Sequence, residues 1–122
     1  MSETERRHTR YIVPEGAMAS QHVRVYGIFG IVRGWSVCRI KDLSRAGVMV
    51  LTERQLGIGD RINIRLVDRE GVSLNFKGEV ANVGRDHREE RFKIGIALHV
   101  TAQDVKETQF LDALAERFRE VV

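Results

Sequence analysis

Arginine side chains are crowded near the start of the chain, where Arg6, Arg7 and Arg10 fall within the stretch ERRHTRY, residues 5–11. The planar guanidinium group grips phosphates and guanine edges and stacks on rings, whereas lysine is a point charge. Only four of the 20 basic residues are lysine, so the composition is biased toward guanidinium chemistry. A run of charge at a mobile terminus also fits a solubilising tail. The arginines alone therefore leave two interpretations, a basic tail and half of an anion-binding site.

A second polar motif, DLSRAG over residues 42–47, places Asp42, Ser44 and Gly47 at a fixed spacing. A carboxylate accepts hydrogen bonds from N–H groups, and a hydroxyl donates to acceptors. Glycine lets the backbone approach a partner closely or take a positive φ in a turn. The same residues also fit a local turn in which side chains bond to the backbone. Arg45, inside the motif, is predicted to lie on a solvated face, with contact to a phosphate as the alternative.

Patterns typical of catalysis and metal binding are missing from the sequence. The histidines, at positions 8, 22, 87 and 99, have no ligand spacing, and the chain contains no GxSxG elbow, P-loop or Cys/His pairing. One cysteine, Cys38, excludes an internal disulfide and is too little for a zinc site built on thiols. Its apolar neighbours indicate a small buried hydrophobe. We therefore expect a binding protein that is not an enzyme and needs no metal or cofactor.

Length and composition predict one domain of ordinary size, since the chain has 122 residues and is 43% hydrophobic. The net charge of +3 is milder than that of most nucleic-acid-binding domains. The opening residues MSETERRHTR lack the apolar core of a secretory signal. No apolar run approaches the ~18 residues of a membrane span. We therefore expect a cytoplasmic protein.

Alternation of apolar and polar residues predicts that short strands make up most of the chain after residue 12. The predicted strands cover 48–51, 62–66, 72–77, 79–83 and 92–100, together with two strands in the glycine-interrupted region 22–41. The turn-like residues 68–71 join two of these strands into a hairpin. Gly78 suggests a bulge that shifts the inward face. This pattern is typical of an antiparallel sheet with one buried face.

The last twenty residues change to a helical period. Thr101 and Asp104 approximate a capping box. Apolar residues then recur at helical spacing, with charged residues such as Glu107 on the opposite side. We predict one amphipathic helix over about 102–121, packed on a small antiparallel barrel. The predicted organisation is a flexible arm over 1–11, followed by a single barrel domain over 12–122.

With both motifs placed among these strands, the chain resembles the PilZ domain family. That family recognises the bacterial second messenger cyclic di-GMP with an RxxxR motif, matched here by Arg6 and Arg10, and a later [D/N]xSxxG motif, matched by DLSRAG. The segments LGIGDRINIRL and KIGIALHV resemble its later strands. The stretch between the motifs is longer than in a minimal member, with the extra length near 27–34. The resemblance implies a mainly β fold, a six-stranded antiparallel split barrel with a C-terminal amphipathic α-helix.

The resemblance also implies a cyclic di-GMP receptor without catalytic activity. Arg6 and Arg10 would bind phosphate and guanine, and Arg7 would add a contact. Asp42 and Ser44 would read a guanine, while Gly47 would shape the turn. On binding, the arm would become ordered over the ligand and signal to an unidentified protein partner in trans. A carboxylate at position 5 would repel phosphate, so we expect one ligand per protomer.

Two other function classes remain as alternatives. A ligand-independent adaptor in a pilus or motility assembly is argued against by the intact motifs. A small basic barrel that binds nucleic acid would need aromatic residues interleaved on exposed strand positions, but aromatic residues make up only 7% of the chain. Trp35 is predicted to belong to the core or to a partner surface rather than to a base-stacking platform.

Overall fold

Eight strands and two short helices make up the described chain, which comprises residues 8–26 and 34–122 of a computed structural model. In chain order these elements are β1 (Tyr11–Ile12), β2 (Met18–Val25), β3 (Ser36–Leu43), β4 (Gly47–Thr52), β5 (Arg61–Asp68), β6 (Ser73–Asp86), β7 (Arg91–Leu98), α1 (Val105–Asp112), α2 (Leu114–Arg117) and β8 (Arg119–Glu120). The predicted strands of the region 22–41 correspond to β2 and β3, and their glycine-rich connection, 27–33, lies outside the described residues.

The six long strands form an antiparallel barrel, which confirms the predicted fold class. They are hydrogen-bonded in the order β2-β5-β6-β7-β4-β3, and the pairing of β2 with β3 closes the ring. The closing contact is short, with His22 opposite Val37 and Val23 opposite Ser36. The two-residue strands lie at one side of this barrel, because β1 pairs with the end of β3 and β8 pairs with β1. This arrangement brings the first and last described segments together beside β3.

Alternate residues of each strand fill the barrel, as the period-two pattern predicted. Ile62, Ile64 and Leu66 of β5 are each 1% exposed, and comparable side chains from the other strands complete the core. Cys38 belongs to this core, where burial raises the pKa of its thiol to about 12 and keeps it protonated. The cysteine is therefore the small buried hydrophobe that its neighbours indicated.

Strand β6 differs from the prediction, because it runs without interruption through both of the segments predicted as separate strands. Gly78 is not a bulge, since it pairs regularly with Ile62 and with Leu98. The register shifts two residues later, between Val80 and Asn82. Glycine is required at position 78 by close packing, because a Cβ there would lie 2.5 Å from the carbonyl oxygen of Ala97.

The predicted helix over 102–121 is wrong in extent. The chain is helical only over α1 and α2, and it is extended at Phe118 before it forms β8. The tail is held in this form by β1, because the N–H of Val121 donates to the carbonyl oxygen of Arg10 at 2.8 Å. Glu107 was predicted on the solvent face but is buried, where its carboxylate accepts the N–H of Asn75 at 2.9 Å. No helix within the described residues is long and apolar enough to cross a membrane.

Candidate functional site

The DLSRAG motif forms the tight connection between β3 and β4, and Ser44 organises it. Its hydroxyl is buried and accepts the N–H groups of Ala46 at 3.2 Å and Gly47 at 3.0 Å. The hydroxyl also donates to the carbonyl oxygen of Gly47 at 3.3 Å, and the backbone N–H of Ser44 donates to that oxygen at 2.8 Å. Ser44 is thus bonded within the turn, as the local-turn interpretation predicted.

Replacing Ser44 with alanine should destabilise the protein, because two partly buried N–H groups would lose their acceptor. We expect the free energy of unfolding to fall by about 1–3 kcal/mol, measured by urea denaturation. Ser73→Ala is the matched control, since the half-buried Ser73 hydroxyl makes no hydrogen bond among the described residues. Equal unfolding midpoints for the two variants would contradict a structural role for the Ser44 hydroxyl.

Gly47 begins β4 at a point where the backbones of β4 and β7 approach closely. A Cβ at this position would lie 3.1 Å from the carbonyl oxygen of Ile96. Its φ does not fall in the left-handed region. Of the two reasons for glycine that the sequence suggested, close approach is the one that applies in the free protein.

Arg10 and Asp42 lie together at the end of β3, although they are far apart in the sequence. Strand β1 aligns Ile12 with Asp42 and Tyr11 with Leu43, so the residue before β1 lies beside the motif. The Arg10 Nη1 is 3.9 Å from the Asp42 Oδ2. Arg10 is mostly exposed, whereas the Asp42 side chain is only 16% exposed. The exposed Arg10 guanidinium therefore offers N–H donors next to the mostly buried acceptor oxygens of Asp42.

Burial raises the pKa of Asp42, while the nearby positive charges of Arg10, Lys41 and Lys93 act in the opposite direction. These two lysines were not singled out from the sequence. Lys41 is adjacent to the motif, and Lys93 comes from the outer face of β7, two residues from the Gly95 that follows Asp42 and Met49 across the sheet, so only strand register could have shown that its charge acts on Asp42. Together with Arg10 they make a positive surface around one carboxylate, which suits a ligand that carries both phosphates and N–H donors.

The β6–β7 turn supplies carboxylates to the cations on β3. Glu89 lies 2.9 Å from Arg39, and Asp86 lies 3.5 Å from Lys41. The N–H groups of Glu89 and Arg88 donate to Asp86 and hold the pKa of that carboxyl below its ordinary value. In the free protein these acidic groups therefore offset part of the positive charge beside the motif.

Other predicted site residues have different positions. Arg6 and Arg7 lie outside the described residues, so their placement beside the motif stays a prediction. Arg45 is exposed as predicted, but it forms an ion pair with Asp112 at the end of α1. His8 is one of the histidines without ligand spacing, and its Nδ1 is buried without a partner in the described structure, beside a cavity of about 170 Å³. This cavity lies between the arm, Arg45 and the C-terminal helices.

Among the described residues no group of three His, Cys, Asp or Glu side chains could hold a metal ion.

Comparison with known proteins gives a consistent assignment. The family model of the PilZ domain matches residues 4–116. No curated protein sequence matches the chain. Among solved structures it is similar to the PilZ domain with c-di-GMP of YcgR from Escherichia coli, with a TM-score of 0.63, 17% identity, and coverage of 90% of this chain and 91% of that one. It is also similar to the Bacillus subtilis inhibitor of motility MotI/DgrA, with a TM-score of 0.59 and 13% identity, covering 90% of this chain and 49% of that one. At these identities the structural likeness shows the fold.

Proposed function

Because the chain belongs to the PilZ domain family, whose members are typically non-enzymatic cyclic di-GMP receptors, we propose that it binds cyclic di-GMP beside the end of β3. The observation that carries this proposal is the placement of Arg10 next to Asp42, 3.9 Å apart, by the pairing of β1 with β3. The two halves of the proposed site thus come from distant parts of the sequence and meet at one surface of the barrel.

The chemistry of the ligand fits this surface. Cyclic di-GMP carries two guanines and two phosphates on a compact ring. The Arg10 guanidinium can bind phosphate through two parallel hydrogen bonds or pair with O6 and N7 of guanine. The Asp42 carboxylate can accept the N–H groups of a guanine Watson–Crick edge. Gly47 adds no side chain beside the proposed site. Ser44 stabilises the turn next to Asp42 through its hydrogen bonds.

The rest of the RxxxR motif would complete the site. In this proposal β1 is the fixed point from which Arg6 and Arg7 fold over the bound ligand, and Glu5 limits the site to one ligand per protomer. Ordering a segment on binding costs conformational entropy, which the charge-assisted contacts of the arginines must offset.

The proposed output is a change in the C-terminal segment that a protein partner reads in trans. Two contacts support this route. The Arg10 carbonyl oxygen accepts the N–H of Val121, and Arg45 pairs with Asp112. A ligand phosphate that draws away either arginine would therefore alter a contact of the C-terminal segment as well as the binding site.

Calorimetric titration of the whole chain with cyclic di-GMP tests the proposal, with cyclic di-AMP and GTP as competing probes. We expect saturable binding of one cyclic di-GMP per chain and much weaker binding of the other two nucleotides. Hydrogen exchange with and without ligand should show slower exchange in residues 1–12. Absence of cyclic di-GMP binding would overturn the function, whereas binding with unchanged exchange would overturn only the closing of the arm.

The raised pKa of Asp42 leads to a pH dependence of binding. The ligand's N–H groups require the ionised carboxylate, so affinity should be full above the pKa of the free receptor and decline as pH falls through it. Because that pKa lies above the ordinary aspartate value, the decline should begin at a higher pH than for an unperturbed aspartate, with proton release on binding in that window. Titrations from about pH 4 to pH 8, in buffers of different ionisation heat, measure both effects.

Asp42→Asn provides the control for this experiment, since the amide keeps the acceptor oxygen and does not titrate. Asparagine is also the other residue that the family motif accepts at this position. The variant should bind with an affinity that is nearly independent of pH over the same range. An equal pH dependence in both proteins would show that another group controls the effect.

A further inference from the structure

A cluster of positive and aromatic side chains lies on the barrel away from the DLSRAG motif. The guanidinium groups of Arg24 on β2 and Arg65 on β5 lie 4.5 Å and 4.7 Å from the centre of the Trp35 ring. Both contacts are within the range of favourable cation–π interactions. Arg24 is also 5.9 Å from the ring of Tyr26. We call Arg24, Trp35 and Arg65 the Arg–Trp–Arg cluster.

The cluster belongs to a continuous outer surface of β2, β5 and β6. His22 is opposite Arg65 in the β2–β5 pair, and Arg24 is opposite Asn63. Across the next pair, Asn63 is opposite Lys77. Tyr26, Asn63 and Lys77 line an adjoining cavity of about 910 Å³. The Arg–Trp–Arg cluster therefore lies beside an open groove that its own three residues do not line.

The positive charges of this surface lack carboxylate partners. No described Asp or Glu lies within ion-pair distance of Arg24, Arg65 or Lys77, whereas Arg39, Lys41 and Arg45 elsewhere on the barrel each have one. The Nε of Arg24 is buried and without an acceptor in the described structure. Two guanidinium groups held over one ring repel each other, and a guanidinium stacked on a ring still presents N–H donors at its edge. In Arg65 the Nε donates to the Oδ1 of Asn75 at 3.3 Å, which leaves the Nη groups for an anion. The geometry is that of a prepared anion site.

The charges around the groove favour separate carboxylates over a nucleic acid. Asp60 and Glu79 line the adjoining cavity, so a continuous phosphate backbone that follows the groove would meet them, whereas a short acidic segment confined to the cluster would not. Trp35 already contacts two guanidinium groups, which leaves less of its ring for stacking on a base. Residues at positions i and i+4 of a helix are neighbours on one face, with Cβ atoms about 5–6 Å apart, so two such Glu side chains can supply one carboxylate to each guanidinium.

We propose that the Arg–Trp–Arg cluster is a docking surface for an acidic helical segment of a partner protein. The surface is separate from the proposed ligand site. Trp35 precedes the first residue of β3 and Asp42 lies near its other end, about 20 Å away along an extended strand. The two sites lie at opposite ends of β3, and no residue belongs to both. The inference does not depend on the proposed function, although the surface is suited to the trans partner which that function needs.

Trp35 is the only tryptophan in the chain, so its fluorescence reports directly on the cluster. The probe is an alanine-based helical peptide that carries Glu pairs at i and i+4, titrated into the whole protein at low salt. The same peptide with Gln in place of Glu, and a single-stranded oligothymidine, are the comparison probes. We expect a saturable change in Trp35 emission with the Glu peptide alone, weakened by added salt.

Arg65→Gln should weaken binding of the Glu peptide about 10-fold, and the Arg24→Gln, Arg65→Gln double variant should abolish it. Arg65 is exposed, so the single variant keeps the test valid if the double variant fails to fold. Arg88→Gln, on the exposed β6–β7 turn, is the control and should bind as the unchanged protein does. Equal binding of the Glu and Gln peptides, tighter binding of oligothymidine, or no effect of Arg65→Gln would each overturn the proposal. Cyclic di-GMP affinity measured on Arg65→Gln should stay unchanged, so failure here is distinguishable from failure of the ligand site.

Discussion

Replacing Arg10 or Asp42 with alanine should weaken cyclic di-GMP binding by about 10- to 100-fold. Each change removes a charge-assisted hydrogen-bonding group, whose loss typically costs about 1.5–3 kcal/mol. Removing Arg10 also leaves the partly buried Asp42 carboxylate without its nearest arginine. Removing Asp42 leaves three positive groups that still attract phosphate but deletes the acceptor for guanine. Calorimetric titration of each variant gives the change in dissociation constant.

The two variants should also differ in the property of binding that they lose, which is salt dependence for one and base discrimination for the other. Arg10→Ala should show a weaker dependence of affinity on salt, because a phosphate contact is lost. Asp42→Ala should discriminate less between guanine and adenine dinucleotides, because the guanine N–H donors lose their partner. Arg61→Ala and Glu70→Ala, at exposed positions on and after β5, serve as charge-matched controls. If these controls weaken binding as strongly as the site variants, the site does not lie at the end of β3.

Among Gly→Ala substitutions at the described glycines of regular strands, Gly78→Ala should cause the largest loss of stability. The new Cβ would lie 2.5 Å from the Ala97 carbonyl oxygen and 2.7 Å from Cγ2 of Ile96. The first neighbour is backbone in the adjacent strand, which cannot move aside without disturbing the β6–β7 pairing. We expect the free energy of unfolding to fall by about 3 kcal/mol, at the upper end of the usual cost of overpacking.

Gly84→Ala is the matched control, because it lies on the same strand with 4.0 Å between its added Cβ and the nearest atom, the carbonyl oxygen of Lys93. Its unfolding free energy should change by less than about 0.5 kcal/mol. Chemical denaturation of both variants measures the difference. A Gly78→Ala protein as stable as Gly84→Ala would mean that β6 and β7 separate easily at this point.

Local patterns in the sequence were sufficient for most of the long strands and for the burial of Cys38, because each depends on neighbours within a few residues. The extent of the C-terminal helix was not predictable in the same way. Phe118 and Val121 keep helical spacing, yet Val121 bonds to the Arg10 backbone, a contact that only tertiary structure creates. Tertiary pairing here overrides a local periodicity. The continuous β6 also escaped prediction, because Gly78 has a steric role that becomes visible only with β7 beside it.

In the candidate site, too, the local motifs were predictable and the contacts between distant strands were not. Motif resemblance identified Arg10, Asp42, Ser44 and Gly47, and the first two do meet. The resemblance did not show whether the Ser44 hydroxyl stabilises the turn or contacts the ligand. Lys93 could not be associated with Asp42 without strand register, because a shift of one residue would have turned it to the other face of the sheet. The Arg–Trp–Arg cluster depends even more on register, since Arg24 and Arg65 come from β2 and β5, which are neighbours in the sheet but not in the sequence, and Trp35 precedes β3.

The pairing of β1 with β8 has a consequence for how the molecule folds. Bringing these segments together closes a loop of roughly a hundred residues, and the entropy of closing such a loop must be offset by pairs that are only two residues long. Such a contact forms readily only after the barrel has already drawn the chain together. We therefore expect the barrel to fold first and this pairing to form last. During that interval a newly made molecule would possess the DLSRAG turn without the connection that joins Arg10 to the C-terminal segment.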